Sequence, residues 1–258
     1  YQMGGWAAPL GIVYVIDAAS ALVLPIVSGI GFIVTLAARY LVGAEIDGRD
    51  HPLFYTAWLL TIAGMLGQIT TGDAFNIFVF LEISSLSAYA LVAMGAGRDR
   101  RALPAAFNYL ILGTVGATFY VIGLGLLYML TGTLNLADLS VRLAEVEATR
   151  AVYTAMAFIA LGLFLKMALF PLHFWLVPAY SFAPSAVSAL MAATATKVSV
   201  YVLVRLLFGV FGVSFFGVDS GVGLVLLTLG ITGAFVGTLA AIVETDLKKL
   251  FAQSSIAQ

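Results

Sequence analysis

Long apolar runs with few or no charged residues constrain this chain more than any other feature. A helix of roughly 20 apolar residues crosses about 30 Å of hydrocarbon, and seven segments of this kind occur along the sequence. They are residues 18–38, 52–72, 74–97, 107–130, 151–170, 185–208 and 220–243. Hydrophobic residues make up 62% of the 258 residues and charged residues only 10%, which is too apolar for a water-soluble core. We therefore predict an all-α, polytopic transmembrane helix bundle forming one domain over residues 1–258.

Two shorter segments are also predicted to be helical. Residues 250–258 open an eighth helix that is too short to cross a bilayer, so we expect the natural protein to continue. After the fourth span, residues 131–139 are expected to lead into a polar loop. The charged residues that follow have the spacing of a short interfacial helix. They are Arg142, Glu145, Glu147 and Arg150.

The distribution of Lys and Arg among the loops predicts the orientation of the bundle. Cytoplasmic loops of membrane proteins carry the excess of these residues, and alternate loops place seven on one side and two on the other. The larger set is Arg39, Arg49, Arg98, Arg100, Arg101, Lys248 and Lys249, and the smaller set is Arg142 and Arg150. We therefore expect loops 39–51, 98–101 and 244–249 to face the cytoplasm.

The composition argues against several classes of site. Without cysteine, the chain cannot hold an iron–sulfur cluster or a thiolate-bound metal. Its two histidines and scattered acids form no metal-binding motif. A net charge of −1 with few basic residues does not favour nucleic acid as a partner. We expect no metal, no cofactor and no nucleic acid.

Three charged residues lie inside predicted spans, where a charge costs about 2.5 to 3.5 kcal/mol on insertion scales. They are Glu82, Lys166 and Lys197. One interpretation is a buried ion pair that fixes helix packing, but one acid cannot neutralise two lysines. The remaining lysine would be a titratable group within the bilayer. We favour proton handling by these residues over a purely structural role.

A proline closely follows Lys166 and predicts a discontinuous helix near Lys166–Pro171, because proline cannot continue the hydrogen-bond ladder. Broken helices in membranes line hydrated cavities, and transporters place ion sites there. His173 lies beside this break, and its side chain is suited to proton transfer near neutral pH. A histidine at the interface bonded to a neighbouring carbonyl is an equally good interpretation of His173.

Other polar and small residues receive structural interpretations. Asp17 and Asp73 are expected at helix starts or at the interface. Arg205 lies near a helix end and is expected to extend its side chain to the lipid headgroups. A series of small residues is expected to let helices approach closely. Its members are Gly113, Gly116, Ala117, Gly123 and Gly125.

Five stretches resemble the antiporter-like subunits shared by respiratory complex I, membrane-bound hydrogenases and Mrp-type sodium/proton antiporters. They are GGWAAPLGIVYVIDAASAL (4–22), TGDAFNIFVFLEISSLSAYAL (71–91), FNYLILGT (107–114), KMALFPLHFWLVPAY (166–180) and TDLKKLFAQSSIAQ (245–258). The second and fourth are the most specific. The opening stretch and the second stretch look most like the D subunits of Mrp antiporters, although hydrogenase subunits share much of the same sequence.

The resemblance implies a fourteen-helix fold with two inverted five-helix repeats, of which this chain would hold the first. It implies that Glu82 matches the acid of the family's fifth helix and Lys166 the lysine of its broken seventh helix. Lys197 would match the linking lysine of the eighth helix, and His173 the histidine after the break. The chain departs from the family at Ala179, where members often carry Asp, which weakens any expectation about the cytoplasmic intake.

The expected function is proton translocation within a multisubunit complex of a bacterial or archaeal plasma (inner) membrane, most like the D subunit of an Mrp-type sodium/proton antiporter. The alternative is a proton-pumping membrane subunit of a complex I-like NADH-quinone oxidoreductase or a membrane-bound hydrogenase. A non-conducting scaffold protein and an independent solute transporter are further alternatives. We expect no bond chemistry from this chain. Its expected partners are other membrane subunits, the lipid bilayer and protons, with Na⁺ as a further candidate ion.

Overall fold

The structure is a computed structural model that describes residues 1–146, 150–212 and 221–258. Within these ranges it contains ten α-helices and no strand. The helices are α1 (Ala18–Glu45), α2 (His51–Thr70), α3 (Ala74–Ala93), α4 (Ala102–Thr131), α5 (Leu136–Glu145), α6 (Arg150–Met167), α7 (Leu176–Phe182), α8 (Ser185–Leu206), α9 (Gly221–Val243) and α10 (Leu247–Ala257). The predicted all-α class is confirmed.

Seven helices of the described ranges are long and apolar enough to cross a membrane, namely α1, α2, α3, α4, α6, α8 and α9. They differ in how deeply they lie in the bundle. In α8, 56% of the most apolar segment is buried, compared with 17% in α1 and 11% in α9. Helix α8 is therefore central, whereas α1 and α9 present most of their apolar side chains outward.

Two helices begin earlier than the sequence predicts. Helix α4 begins at Ala102, because Pro104 lies in its first turn, where proline removes no helical hydrogen bond. Helix α5 begins at Leu136, and the side chain of Asn135 accepts from the backbone N–H groups of its first turn. The prediction of a loop through residue 139 is wrong for this reason. Glu147, predicted to belong to the same polar helix, lies outside the described residues.

The chain breaks its helical path after Lys166, which confirms the predicted discontinuous helix. Helix α6 ends at Met167, and Ala168 adopts a left-handed conformation with φ of 56°. The backbone N–H of Leu169 then donates to the carbonyl of Phe164 at 3.0 Å, and the next helix begins only at Leu176. The break leaves Lys166 one residue from a helix end inside the bundle.

Helices α4 and α6 pack with their backbones almost in contact. A Cβ added at Gly116 would lie 2.9 Å from the carbonyl oxygen of Gly162, and one at Gly123 would lie 2.6 Å from that of Ala155. Small residues permit such close packing of membrane helices. Gly125, by contrast, faces open space, so its expected packing role is wrong.

The loop between α2 and α3 fastens one end of the bundle. Asp73 accepts from the backbone N–H of Asn76 at 2.8 Å and so caps α3, as predicted for a helix start. The Asn76 side chain donates to Thr71 at 3.0 Å. Because Asp73 is largely buried, its pKa is raised above the ordinary value. These residues explain why the Thr-Gly-Asp-Ala-Phe-Asn stretch has its particular polar spacing.

Candidate functional site: a buried lysine beside a broken helix

Lys166 lies in the interior, with 5% of its side chain exposed. Its Nζ lies 3.5 Å from Oε1 of Glu82. It also donates to Oγ of Ser85 at 2.8 Å and to the hydroxyl of Tyr89 at 3.3 Å. The structure therefore brings together two of the predicted site residues and adds two hydroxyl groups that were not predicted from sequence.

The three oxygen-bearing partners of Lys166 come from one face of α3. Glu82, Ser85 and Tyr89 are separated by three and four residues, and such residues lie above one another along a helix. This spacing is the signal that could have identified Ser85 and Tyr89. A single helix face thus offers the ammonium group one carboxylate and two neutral oxygens.

The end of α6 beside Lys166 is held by a side chain from beyond the break. The indole N–H of Trp175 donates to the carbonyl oxygen of Leu165 at 2.9 Å. This carbonyl lies near the helix end and otherwise accepts only from the backbone N–H of Ala168 at 3.4 Å among the described residues. A cation is also favoured at a helix C-terminus, where the helix dipole is negative. The broken helix therefore places Lys166 at a helix C-terminus, where a positive charge is favoured.

A small cavity of about 30 Å³ adjoins Lys166 between α2, α3, α4 and α8. Its polar lining includes Gln68, Ser84, Ser85 and Ser199, and Gln68 Nε2 donates to Ser84 Oγ at 3.0 Å. A cavity of this volume with several polar partners is large enough for a water molecule. The surroundings of Lys166 are thus polar, although the helices themselves are apolar.

Lys197 lies apart from this cluster. Its Nζ donates to the carbonyl oxygen of Ala192 at 2.8 Å on the same helix. The residue borders cavities of about 530 and 720 Å³ that are also lined by Ser255 of α10 and by Gln258, which follows this helix. Within the described part of the chain, Lys197 makes no hydrogen bond or ion pair with Glu82 or Lys166. Two of the three central charges meet, and the third faces α10.

His173 follows the break and is 8% exposed. Its ring lies between those of Phe170 and Phe174, at centroid distances of 5.4 and 4.7 Å. Its Nδ1 is buried and has no hydrogen-bond partner among the described residues. The structure does not bring His173 into hydrogen-bonding contact with Lys166, and it places the histidine on an aromatic surface next to the break.

A family model described as "NADH:quinone oxidoreductase/Mrp antiporter, TM" matches residues 71–258. The chain belongs to this family. Among curated relatives, the N subunit of the NADH-quinone oxidoreductase of Desulforudis audaxviator is 45% identical over 100% of this chain and 50% of its own length. The D subunit of the Na⁺/H⁺ antiporter of Alkalihalophilus pseudofirmus is 33% identical over the same shares of the two chains. The chain therefore spans about half the length of these family members.

Solved structures also superimpose well on this chain. The Mrp complex from a Dietzia species matches 100% of this chain and 46% of its own, with a TM-score of 0.87 and 28% identity. An archaeal membrane-bound sulfane sulfur reductase matches 99% of this chain and 50% of its own, with a TM-score of 0.85 and 31% identity. Together with the seven candidate spans, the family assignment shows a multi-pass membrane protein.

Arg205 corrects one prediction made from sequence. Its side chain is only 12% exposed and its Nη2 lies 3.4 Å from Oδ2 of Asp17, so it does not extend to the headgroups. Nη1 also donates to the carbonyl of Ile69 at 3.2 Å and to the hydroxyl of Tyr201. The prediction that Arg205 extends to the headgroups is wrong because two of these acceptors, Ile69 on α2 and Asp17 before α1, lie far from Arg205 in the sequence. Asp17 caps α1 through Ser20, as predicted for a helix start.

Glu45 joins three segments at the opposite end of the bundle. Its carboxylate accepts from the backbone N–H and the hydroxyl of Ser185, both at 2.6 Å. It also pairs with Arg98 at 2.8 Å. The carboxylate thus caps the start of α8, where backbone N–H groups lack helical partners. This role was not predicted because Glu45 lies past the expected end of its span.

Proposed function

We propose that this chain forms part of a proton-translocating membrane protein in which Lys166 binds and releases the transported proton. The observation that carries the proposal is the contact of Lys166 with Glu82 inside the bundle, at the end of a broken helix. A buried ammonium is retained only with a partner or water, and this one has a carboxylate, two hydroxyls and a polar cavity. Such an arrangement can exist with the lysine either protonated or neutral.

In this proposal, Glu82 sets the proton affinity of Lys166 through its charge. Lys197 passes charge onward toward the region around α10, and His173 transfers protons near the break. The segments 39–51, 98–101 and 244–249 face the cytoplasm of a bacterial or archaeal cell, although the first includes the end of α1 and the last includes the start of α10. The partners are other membrane subunits of one complex. We favour monovalent cation/proton antiport of the kind named for the Na⁺/H⁺ antiporter relatives, with protons and Na⁺ as the transported ions.

A second candidate is a proton-pumping membrane subunit of an NADH-quinone oxidoreductase. The observation in its favour is the 45% identity to a protein named as the N subunit of such an enzyme. The residues around Lys166 would serve both candidates equally. Identification of the proteins that co-purify with the intact protein would separate them, because small antiporter subunits support the first and iron–sulfur proteins the second.

Replacement of Lys166 by alanine tests the function common to both candidates. We expect Lys166→Ala to abolish proton transport in membrane vesicles that contain the intact complex, as measured with a pH-sensitive dye. Arg100→Ala, which removes an exposed basic residue between two candidate spans, serves as the control and should transport normally. Undiminished transport by correctly assembled Lys166→Ala would contradict the proposed function.

A further inference from the structure

The hydroxyl of Tyr89 occupies an unusual environment for a buried tyrosine. Three other buried tyrosines, Tyr120, Tyr180 and Tyr201, donate their hydroxyl protons to main-chain carbonyls at 3.0 to 3.2 Å. Tyr89 instead accepts from the ammonium group of Lys166 at 3.3 Å. Its hydroxyl therefore contacts the reactive group of the proposed site, whereas the other three hydroxyls complete the hydrogen bonding of the fold.

A gap in α4 makes room for this hydroxyl. A Cβ added at Gly113 would overlap the hydroxyl oxygen of Tyr89 and lie 2.7 Å from Cζ. Any larger residue at Gly113 would therefore displace the hydroxyl. Gly125 lies on the same helix and meets nothing within 4 Å, so a glycine is not needed there for space.

Aromatic contacts fix the plane of the Tyr89 ring and connect it to the break. The ring packs edge-on against Tyr109, with centroids 4.5 Å apart, and Tyr109 stacks on Trp175 at 4.2 Å. Trp175 in turn donates to the carbonyl of Leu165, the residue before Lys166. The contacts thus lead from the amine of Lys166 through the rings of Tyr89, Tyr109 and Trp175 to the carbonyl of Leu165, which is bonded to the backbone nitrogen of Lys166. Such packing leaves the Tyr89 hydroxyl little freedom to move elsewhere.

We infer that Tyr89 is a positioning residue for Lys166 and that Gly113 provides the space in which its hydroxyl lies. Together with Ser85, the hydroxyl holds the ammonium 3.5 Å from Glu82, slightly beyond the usual length of a charge-assisted hydrogen bond. The lysine therefore forms an ion pair with the acid without a short hydrogen bond to it. This inference rests on the proposed function and adds the residue that sets the distance between the two charges.

The test compares pairs of matched variants in vesicles that contain the intact complex, with transport measured across a range of pH. Tyr89→Phe removes only the hydroxyl, and Tyr120→Phe is its control at a hydroxyl bonded to the backbone. Gly113→Ala displaces the same hydroxyl, and Gly125→Ala is its control in open space. We expect Tyr89→Phe and Gly113→Ala to move the midpoint of the pH profile in the same direction by about half a pH unit or more, a change of about threefold in the protonated fraction. The two controls should keep the parent profile.

The outcomes separate this inference from the proposed function. If Lys166→Ala abolishes transport while Tyr89→Phe keeps the parent profile, the positioning role is overturned and the proposed function stands. If Tyr89→Phe moves the profile while Gly113→Ala behaves like Gly125→Ala, the role of Gly113 is overturned. If Lys166→Ala transports normally, the proposed function itself fails. Because Tyr89→Phe creates no clash, it gives a result even if Gly113→Ala does not assemble.

Discussion

Glu82 and Lys166 form an asymmetric pair: 24% of the glutamate side chain is exposed, but only 5% of the lysine side chain. The Oε1 atom that faces the lysine is buried and lacks a hydrogen-bond partner among the described residues, so the exposed part of the carboxylate lies elsewhere. The carboxylate of Glu82 is therefore less enclosed by the protein than the amine that it faces.

The charge of Glu82 is therefore predicted to matter more than its shape. Glu82→Gln keeps the size of the side chain but removes the anion nearest to Lys166, and we expect transport to fall about tenfold because the protonated lysine loses its charge partner. Transport by the intact complex in vesicles measures this. Glu145→Gln, at an exposed acid, is the control. A rate equal to that of the parent protein would show that Glu82 does not tune Lys166.

The ion pair between Asp17 and Arg205 leads to a prediction about stability. Asp17→Ala loses both the cap of α1 and the pair, and it should lower the free energy of unfolding by about 1 to 2 kcal/mol. Asp17→Asn keeps a good capping residue and loses only a partly exposed pair, so its loss should stay below about 1 kcal/mol. Thermal unfolding in detergent measures both. Equal losses would mean that the cap contributes nothing.

The same residue predicts how stability depends on pH. Hydrogen bonds from Ser20, with the charge of Arg205, lower the pKa of Asp17 in the folded protein. A carboxylate with a lowered folded pKa stabilises the fold above its unfolded pKa of about 3.9, and this contribution disappears as the pH falls through the folded pKa. Asp17→Asn should therefore lose less stability than the parent between about pH 5 and pH 2. If the free energies of unfolding of the two proteins fell by the same amount over this pH range, the prediction would be contradicted.

Glu45 is predicted to anchor the start of α8. Glu45→Ala leaves the backbone N–H of Ser185 and the side chain of Arg98 without their acceptor, and we expect a loss of about 2 kcal/mol in the free energy of unfolding. The loss should be smaller when Arg98→Ala is already present, because the two residues share one contact. Thermal unfolding of the two single variants and the double variant tests this. Strict additivity would show that Glu45 and Arg98 act independently.

Sequence reasoning predicts those parts of the site that depend on local rules. The apolar runs predict the helices, Pro171 predicts the break, and the cost of a buried charge singles out Glu82 and Lys166. That these residues transfer protons, together with Lys197 and His173, stays a prediction. Their spatial arrangement adds that Lys166 meets Glu82, whereas Lys197 faces α10.

The remaining features depend on contacts between distant segments. The spacing of Ser85 and Tyr89 places them on the helix face of Glu82, but it does not show that Lys166 lies opposite that face, so both residues were missed. Gly113 and Gly125 both look like small residues of one helix in the sequence, but Gly113 lies against the Tyr89 hydroxyl and Gly125 faces open space. Arg205 was misjudged because its carboxylate partner comes from the other end of the chain.

The close approach of α4 and α6 limits how the proposed site can work. Because the carbonyl of Gly162 would be only 2.9 Å from a Cβ at Gly116, the close packing of α6 against α4 opposes movement of α6 toward its neighbour. Lys166 thus lies on a helix whose backbone is held closely against α4. If the amine of Lys166 changes its partners, we expect the change to come from rotation about the bonds of its own side chain or from a hinge in the residues after Met167.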